Sequence, residues 1–201
     1  MANKTFYTTI EKQGKAEFRD RGSQFIGYAF PVTSPEQFKK ELEQLKKEHP
    51  KATHHCFAYR IGLDGNSFRV NDDGEPSGSA GKPILGQIDS KELTNLGVVV
   101  VRYFGGSLLG VPGLINAYKT TASLVLQTIP FVQKTIEHPY RLQFDYTTMN
   151  EVMMIVKQCN CSILQQEVQL FCHFTVGVPL NREEEVLYRL KELHTVEVTR
   201  S

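Results

Sequence analysis

The stretch "VVVVRYFGGSLLGVPGLINAY", residues 98–118, passes from four consecutive valines to a glycine-rich segment and then to an amphipathic run. Four valines in a row leave neither face of a strand for water, so they predict a strand that is buried on both sides. Three glycines follow, and Pro112 occupies a position that suits the first turn of a helix. A buried strand, a glycine loop and a helix N-terminus together often form an anion-binding site.

Two interpretations of this glycine segment are open. Its spacing matches neither a Walker A loop nor a dinucleotide-binding fingerprint. In the first interpretation, backbone N–H groups near Gly106 bind a phosphate of nucleic acid. The anion-binding or nucleic-acid-binding residues predicted on this interpretation are Arg60, Lys82, Arg102, Tyr103, Phe104, Gly105, Gly106 and Gly110. In the second, Arg102 pairs with an acidic residue of the segment 72–75, and the glycines only permit packing or a positive φ.

The composition is that of an ordinary globular protein. Of 201 residues, 40% are hydrophobic and 22% charged, and the net charge is +1. No stretch reaches the roughly 18 apolar residues of a membrane span, and the opening MANKTFYTTIEKQ lacks the apolar core of a secretory signal. The four cysteines are unevenly spaced, as is typical of reduced thiols. We expect a cytoplasmic protein without membrane contact and without a cofactor.

In the N-terminal half, residues 5–32 predict two strands around a turn at Gln13–Gly14, with a break near Gly22. Ser34, Pro35 and Gln37 predict the start of a helix, because they supply an N-cap, a first helical residue and a capping box. The strand HHCFAYRIG follows. Eleven of the 15 glycines lie between positions 62 and 113, so 62–97 is expected to be a long glycine-rich loop that folds back.

A boundary is predicted near residues 129–139, where two prolines flank a polar stretch. Beyond it, the patterns predict the order β-α-β-β-α-β, which is the ferredoxin-like unit. Leu142, Phe144 and Tyr146 are expected on one strand face. Thr148 and Asn181 are expected to cap the two helices, and Cys159 and Cys172 to be core residues rather than metal ligands. The predicted domains are 1–133 and 138–201, in an α+β protein.

Catalytic candidates are weak. Asp72, Asp73 and Glu75 could act as acids or hold a hard cation, but their spacing is not that of an EF-hand and Asp-Asp-Gly is an ordinary turn. His54 could act as a general base, although the sequence indicates no particular nucleophile for it to activate. His54, His55 and Cys56 alternate across a strand, which disfavours chelation of one ion. No metal site is therefore predicted.

Three stretches resemble bacterial members of the IMPACT family: KATHHCFAYRIG at 51–62, DDGEPSGSAGKPIL at 72–85, and the opening stretch at 98–118. The resemblance implies an N-terminal domain like the second domain of the ribosomal small-subunit protein number five. It implies a C-terminal domain similar to the last domain of elongation factor G. Eukaryotic members damp the amino-acid-starvation kinase pathway by competing for the kinase's activator. For bacterial members the expectation is a translation-linked or nucleic-acid-binding role without an established catalytic residue.

Three functions follow as hypotheses. The first is a non-catalytic, translation-linked protein that contacts RNA or the ribosome through a glycine-rich face of the N-terminal domain. Residues 1–136 carry 17 Lys and Arg against 13 Asp and Glu, so the charge permits contact with phosphates without demanding it. The second is a regulator that docks a protein partner through the acidic C-terminal domain. The third is a small-molecule hydrolase or transferase that uses His54 and the carboxylates of 72–75.

The predicted domain boundary can be tested with a fragment of residues 138–201. Because the alternation of apolar and polar residues restarts after a linker flanked by two prolines, the fragment should fold alone, although with marginal stability at that size. Thermal unfolding followed by circular dichroism should show a cooperative transition. A fragment without one, beside a whole chain that unfolds cooperatively, would show that the second domain depends on the first.

Overall fold

The computed structural model describes residues 4–201; the first three residues of the N-terminal segment lie outside the described residues. Its backbone falls into two units, one of residues 7–133 and one that joins the described residues before position 7 to residues 134–201. The strands and helices in the first part of the chain are β1 (Phe6–Ile10), β2 (Gly14–Asp20), β3 (Ser23–Pro31), α1 (Pro35–Glu48), β4 (His54–Ile61), β5 (Ser67–Asn71), α2 (Gly81–Ser90), β6 (Leu96–Tyr103), α3 (Gly110–Gln127) and β7 (Phe131–Thr135).

The valine strand β6 is the centre of a five-stranded sheet with the order β2-β3-β6-β4-β5. It pairs antiparallel with β3 and β4, so its backbone is satisfied on both edges. Val98 and Val100 face the core shared with α2 and α3, and Val99 and Val101 face the core shared with α1. All four valines are 0% exposed. The predicted strand buried on both sides is confirmed.

Helix α1 begins as its sequence predicts. The Ser34 hydroxyl accepts a hydrogen bond from the Gln37 N–H at 3.2 Å, and Pro35 occupies the first turn. The Gln37 side chain reaches back to the N–H of Thr33, one residue before the cap, at 2.8 Å. Phe38 and Leu45 are buried against the sheet, so the cap and the apolar stripe agree.

Two predictions for the N-terminal half are wrong. No hairpin turn lies at 13–14, because β1 pairs with the distant β7 and not with β2; the break predicted near Gly22 is confirmed as the tight turn at Arg21–Gly22, between β2 and β3. The segment 62–97 is not mainly loop, since it contains β5 and α2. Helix α2 has no side-chain cap from its N-cap residue; the amides of Ala80 and Gly81 at its start donate to the carboxylate of Asp72, eight to nine residues earlier. A cap at that distance leaves no local sequence signal.

The second part of the chain contains β8 (Glu137–Asp145), α4 (Met149–Gln158), β9 (Ser162–Glu167), β10 (Phe171–Pro179), α5 (Glu183–Lys191) and β11 (Glu197–Arg200). This is the β-α-β-β-α-β order that the sequence predicts. The four strands form an antiparallel sheet in the order β11-β8-β10-β9. Cys159 and Cys172 are fully buried in its core, as expected, and the four cysteines are free thiols.

Two local expectations in this unit are wrong. Tyr146 is 57% exposed, because β8 ends at Asp145 and a 3-10 turn follows. Neither Thr148 nor Asn181 caps a helix with its side chain. A 3-10 turn precedes each helix, so the capping geometry is shifted away from both residues.

The backbone of the glycine loop approaches the backbone of the β2–β3 turn closely. A Cβ built on Gly105 would collide with the backbone of Gly22 and Ser23, whereas one on Gly86, inside α2, would meet nothing. Gly105→Ala should therefore lower the free energy of unfolding by about 1–3 kcal/mol. Gly86→Ala should raise it by about 0.5–1 kcal/mol, since alanine favours helix. Urea unfolding followed by circular dichroism measures both, and a Gly105→Ala variant as stable as the parent would contradict the close approach.

Candidate functional site

The charged end of β6 is inside the protein. Arg102 is 5% exposed, and its guanidinium donates to the Glu75 carboxylate at 2.6 Å. A second guanidinium N–H donates to the Ser23 hydroxyl at 3.3 Å, while the buried Nε has no hydrogen-bond partner among the described residues. The guanidinium also lies 5.4 Å from the Phe25 ring centre and 5.5 Å from that of Phe104. Arg102 is therefore a buried, paired charge.

Glu75 is the centre of a polar network in an otherwise apolar core. It is 8% exposed, and the same carboxylate oxygen that receives Arg102 also accepts the Tyr118 hydroxyl at 2.7 Å. The Cys56 thiol donates to the Tyr118 oxygen at 3.3 Å, and His54 Nε2 lies 3.7 Å from Glu75. Burial raises the pKa of both the Cys56 thiol and the Tyr118 hydroxyl above their usual ranges. Neither group is activated as a nucleophile.

The two aspartates before Glu75 hold the backbone of their own loop. Asp72 accepts hydrogen bonds from the amides of Gly78, Ala80 and Gly81. Burial opposes its charged form, but these bonds outweigh burial and lower the pKa of the carboxyl. Asp73 accepts from the His55 amide at 2.6 Å, and its carbonyl is 2.7 Å from His54 Nδ1. These carboxylates shape the loop that carries Glu75 into the core.

The predicted anion-binding residues do not all come together. Arg60 pairs with Leu96 at the other end of the sheet from Arg102, and it forms an ion pair with Asp89. His54 lies opposite Arg102, and six residue steps along β4, about 20 Å, separate it from Arg60. Lys82 lies in the first turn of α2, close to Gly78 of the acidic loop. Among the three predicted positive side chains, only that of Lys82 is exposed. Lys82 belongs to the same loop–helix segment as Glu75.

Tyr103 and Phe104 point to different surroundings. The Tyr103 hydroxyl bonds to His49 at 2.8 Å, and the other ring nitrogen of His49 bonds to Tyr28 at 2.7 Å. Burial lowers the pKa of His49, so the imidazole between the two tyrosines is held neutral. Phe104, in contrast, is 47% exposed beyond the strand end.

The glycine loop uses only part of its backbone for folding. The amides of Phe104 and Gly105 donate to the hydroxyls of Thr53 and Ser23. No hydrogen bond from the amides of Gly106, Ser107 or Leu108 is found among residues 4–201. Gly106 and Gly110 have φ values of +86° and +71°, so glycine is needed at both. Helix α3 then begins at Gly110 without a side-chain cap.

Sequence reasoning missed Ser23, Cys56 and Tyr118 as members of the buried network. Cys56 and Tyr118 read as ordinary core positions, and nothing local shows that one carboxylate unites them. Within the part of the chain that is described, no group of three His, Cys, Asp or Glu side chains is placed to hold a metal ion. No helix there is both long and apolar enough to cross a membrane.

The residues of the buried network lie within a domain that is known from other proteins. The family model of the Impact N-terminal domain matches residues 21–126, more than half of the chain. The chain belongs to the IMPACT family. The three sequence stretches that carry the resemblance are the ones that supply Cys56, Glu75, Arg102 and Tyr118 to the buried network.

Two relatives and one solved structure extend the likeness beyond that domain. YigZ of Escherichia coli (strain K12) is 34% identical over 172 residues, covering 85% of this chain and 84% of YigZ. YvyE of Bacillus subtilis (strain 168) is 36% identical over 146 residues, covering 73% of this chain and 67% of YvyE. A crystal structure described as that of a hypothetical protein is 29% identical, with a TM-score of 0.78 over 98% of both chains. The family likeness therefore spans both units.

The buried ion pair predicts an asymmetry between single and double variants. Arg102→Met leaves Glu75 charged and unpaired in the core, and should lower the free energy of unfolding by about 3–5 kcal/mol. The double variant Arg102→Met/Glu75→Gln removes the unpaired carboxylate charge, so it should be more stable than Arg102→Met alone. Urea unfolding at pH 7 measures the free energy of unfolding of the parent and of both variants.

Arg60→Met is the matched control, because Arg60 also pairs with a carboxylate but that carboxylate, Asp89, is 44% exposed. It should cost about 1 kcal/mol or less. A double variant no more stable than Arg102→Met would mean that the stability comes from the shape of Arg102 and not from its charge.

Proposed function

We propose that this chain is a non-catalytic, translation-linked binding protein that contacts RNA or the ribosome through the glycine-rich face of its N-terminal unit. The glycine-rich face is the loop 104–111 with the adjoining Lys51 and Thr53. The observation that carries the proposal is a run of backbone amides without an acceptor among residues 4–201, just before the start of α3 and directly beside a half-exposed phenylalanine ring.

The amides provide the anion-binding part. Those of Gly106, Ser107 and Leu108 have no acceptor among the described residues, and the 18-residue helix α3 adds the positive end of its dipole at Gly110. A phosphate oxygen is an acceptor of the right kind for such a group of donors. The positive φ of Gly106 and Gly110 lets the chain turn there without a Cβ clash.

Phe104 provides a stacking surface. Its ring contacts the Arg102 guanidinium, and 47% of the residue is exposed. Arg102 is itself fixed by Glu75 and Ser23. It therefore acts as a positioning residue that supports the ring, in place of the direct phosphate contact that the sequence suggested. A base stacked on an aromatic ring contributes about 1–3 kcal/mol, whatever its sequence.

Exposed lysines supply the charge that Arg102 does not. The His49 bond to Tyr103 places the end of α1 beside the end of β6, so Lys47 in the last turn of α1 and Lys51 just after it lie near the loop. Both lysines are exposed. Lys82 contributes from α2, next to Gly78. These three cations suit a phosphate backbone better than the distant Arg60.

The link to translation rests on the family resemblance, whose eukaryotic members act on the starvation-kinase pathway. We also propose that the N-terminal unit has the fold of the second domain of the ribosomal small-subunit protein number five. The β11-β8-β10-β9 sheet is proposed to be ferredoxin-like. The domain limits 1–133 and 138–201 remain proposals on the same basis, as does a cytoplasmic location.

One observation favours a second candidate, a regulator that docks a protein through the C-terminal unit. The turn between β9 and β10 exposes Val168, Leu170 and Phe171, with Leu170 72% exposed. Such an apolar tip is typical of protein contacts. The hydrolase or transferase alternative has less support. Asp72, Asp73 and Glu75 are all engaged in hydrogen bonds that hold the loop.

Phe104→Ala tests the stacking surface, and the chain offers a matched control. Phe68 is 51% exposed and has the Arg60 guanidinium 5.3 Å from its ring centre, so its exposure and its arginine contact resemble those of Phe104 at a distant position. Fluorescence anisotropy with a labelled single-stranded 20-nucleotide RNA should show Phe104→Ala weakening binding by about 5- to 100-fold. Phe68→Ala should bind as the parent does. Equal affinity of all three proteins would refute a stacking role for Phe104.

Lys51→Gln tests the charge. If Lys51 contacts a phosphate, the slope of log affinity against log salt should become shallower by about 0.7–1. Lys12→Gln, an exposed lysine in the segment between β1 and β2, is the control and should leave the slope unchanged. If the parent binds RNA with no salt dependence, or captures a protein in a salt-insensitive way instead, the C-terminal docking alternative is favoured.

A further inference from the structure

The two faces of the five-stranded sheet are covered unequally. Helices α2 and α3 pack on one face, whereas among residues 4–201 the core on the other face contains only one helix, α1. Five strands spaced about 4.8 Å apart give a sheet about 19 Å wide. Two helices packed at about 8–10 Å fill such a width, and one does not. A space beside α1 is therefore left on this face, above side chains of β4 that are themselves buried: Phe57 is 7% and Tyr59 8% exposed.

This space is a groove between α1 and the β4–β5 side of the sheet, here called the β5 groove. It has a volume of about 490 Å³. Phe57 and Tyr59 of β4 form its floor and Phe38 of α1 the base of its wall, with ring centres 4.8 Å from Phe38 to each of the other two. Leu42, half-buried, continues the apolar wall toward solvent. The groove thus has an apolar base along the helix.

Positive side chains stand on both walls of the β5 groove. Lys39 and Lys46 line it from α1, seven residues apart, or about 10.5 Å along the helix axis. Arg69 lines it from β5. The two acids in the lining, Glu36 and Asp73, belong to the first turn of α1 and to the segment after β5. Asp73 is already occupied by the His55 amide.

The groove on the other side of α1 has different chemistry. It is smaller, about 310 Å³, and its α1 wall carries Glu41, Gln44 and Glu48. Helix α1 thus presents two lysines and one carboxylate toward β5, and two carboxylates without a lysine toward β2. A helical partner with negative side chains beside its apolar stripe would be attracted to the β5 groove and repelled from the other.

We propose that the β5 groove docks an amphipathic helix of a partner protein, parallel or antiparallel to α1, with acidic side chains flanking its apolar stripe. The stripe, at spacings of three and four residues, packs on Phe57, Tyr59 and Leu42. Its flanking carboxylates meet Lys39 and Lys46 on one side and Arg69 on the other. The five helices found among residues 4–201 all belong to one or other of the two units, and the occupant proposed here is a helix of a partner protein. This surface is separate from the glycine-rich face and does not depend on the proposed RNA contact.

The test uses two synthetic 18-residue peptides with the same leucine stripe, one flanked by glutamates and one by lysines. Each is titrated into the isotope-labelled full chain and followed by amide chemical shifts. The glutamate peptide should bind and shift amides around Lys39, Phe57 and Arg69, whereas the lysine peptide should bind at least about tenfold more weakly. Equal binding of both peptides, or shifts confined to other surfaces, would overturn the proposal.

Lysine variants provide the control. Lys39→Glu/Lys46→Glu should weaken the glutamate peptide about tenfold or more and strengthen the lysine peptide. Lys12→Glu/Lys40→Glu changes the same charge at two exposed residues that lie outside both the groove lining and the glycine-rich face, and should alter affinity less than about twofold. Phe104→Ala should leave peptide binding intact, so failure of the RNA proposal and failure of this one are distinguishable. If single-stranded RNA displaces the peptide and shifts the same amides, the groove is a nucleic-acid site and the helix proposal fails.

Discussion

The buried pair of Arg102 and Glu75 is the interaction on which the N-terminal unit depends. Two opposite charges in an apolar core are costly to desolvate, and each is tolerated only because the other lies 2.6 Å away. Glu75 reaches Arg102 only if the acidic loop folds inward, which in turn places Asp72 where it can hold the start of α2. Arg102 also supports the ring of Phe104 at the mouth of the glycine loop. One ion pair thus joins a loop, a helix start and a candidate binding surface.

In the N-terminal unit, the buried positive charge and the positive charges of the proposed binding surfaces belong to different residues. Its buried guanidinium, that of Arg102, serves geometry, whereas the lysines of α1 and Lys51 are exposed. Lys47 of α1 lies near the glycine loop, whereas Lys39 and Lys46 of the same helix line the β5 groove. A nucleic acid at the first and an acidic helix at the second could be bound together, since the two surfaces share no side chain. A translation-linked protein that joins an RNA to a protein partner would need both.

Some features were predictable because their causes are local. The four valines of β6, the Ser34 cap of α1 and the alternation that makes Cys159 and Cys172 core residues all depend on neighbours within a turn of helix or a short strand. The misplaced β1–β2 turn, the missed α2 and the missed pairing of β1 with β7 depend on partners that are distant in sequence. Helix α2 contains Gly81, Pro83 and Gly86, which are poor helix formers, so only the distant cap at Asp72 and packing make it a helix.

The sequence by itself determined that residues 98–118 form a buried strand, a glycine turn and a helix, because hydrophobic periodicity and glycine conformation act over a few residues. It also narrowed the partner of Arg102 to the acids of segment 72–75 or a phosphate. Only the tertiary structure decided between them, since the choice depends on whether the chain between Glu75 and Arg102, which are 27 positions apart, brings the carboxylate into the core. The same holds for the β5 groove, whose walls are residues of α1, β4 and β5 that come together only when the sheet is assembled.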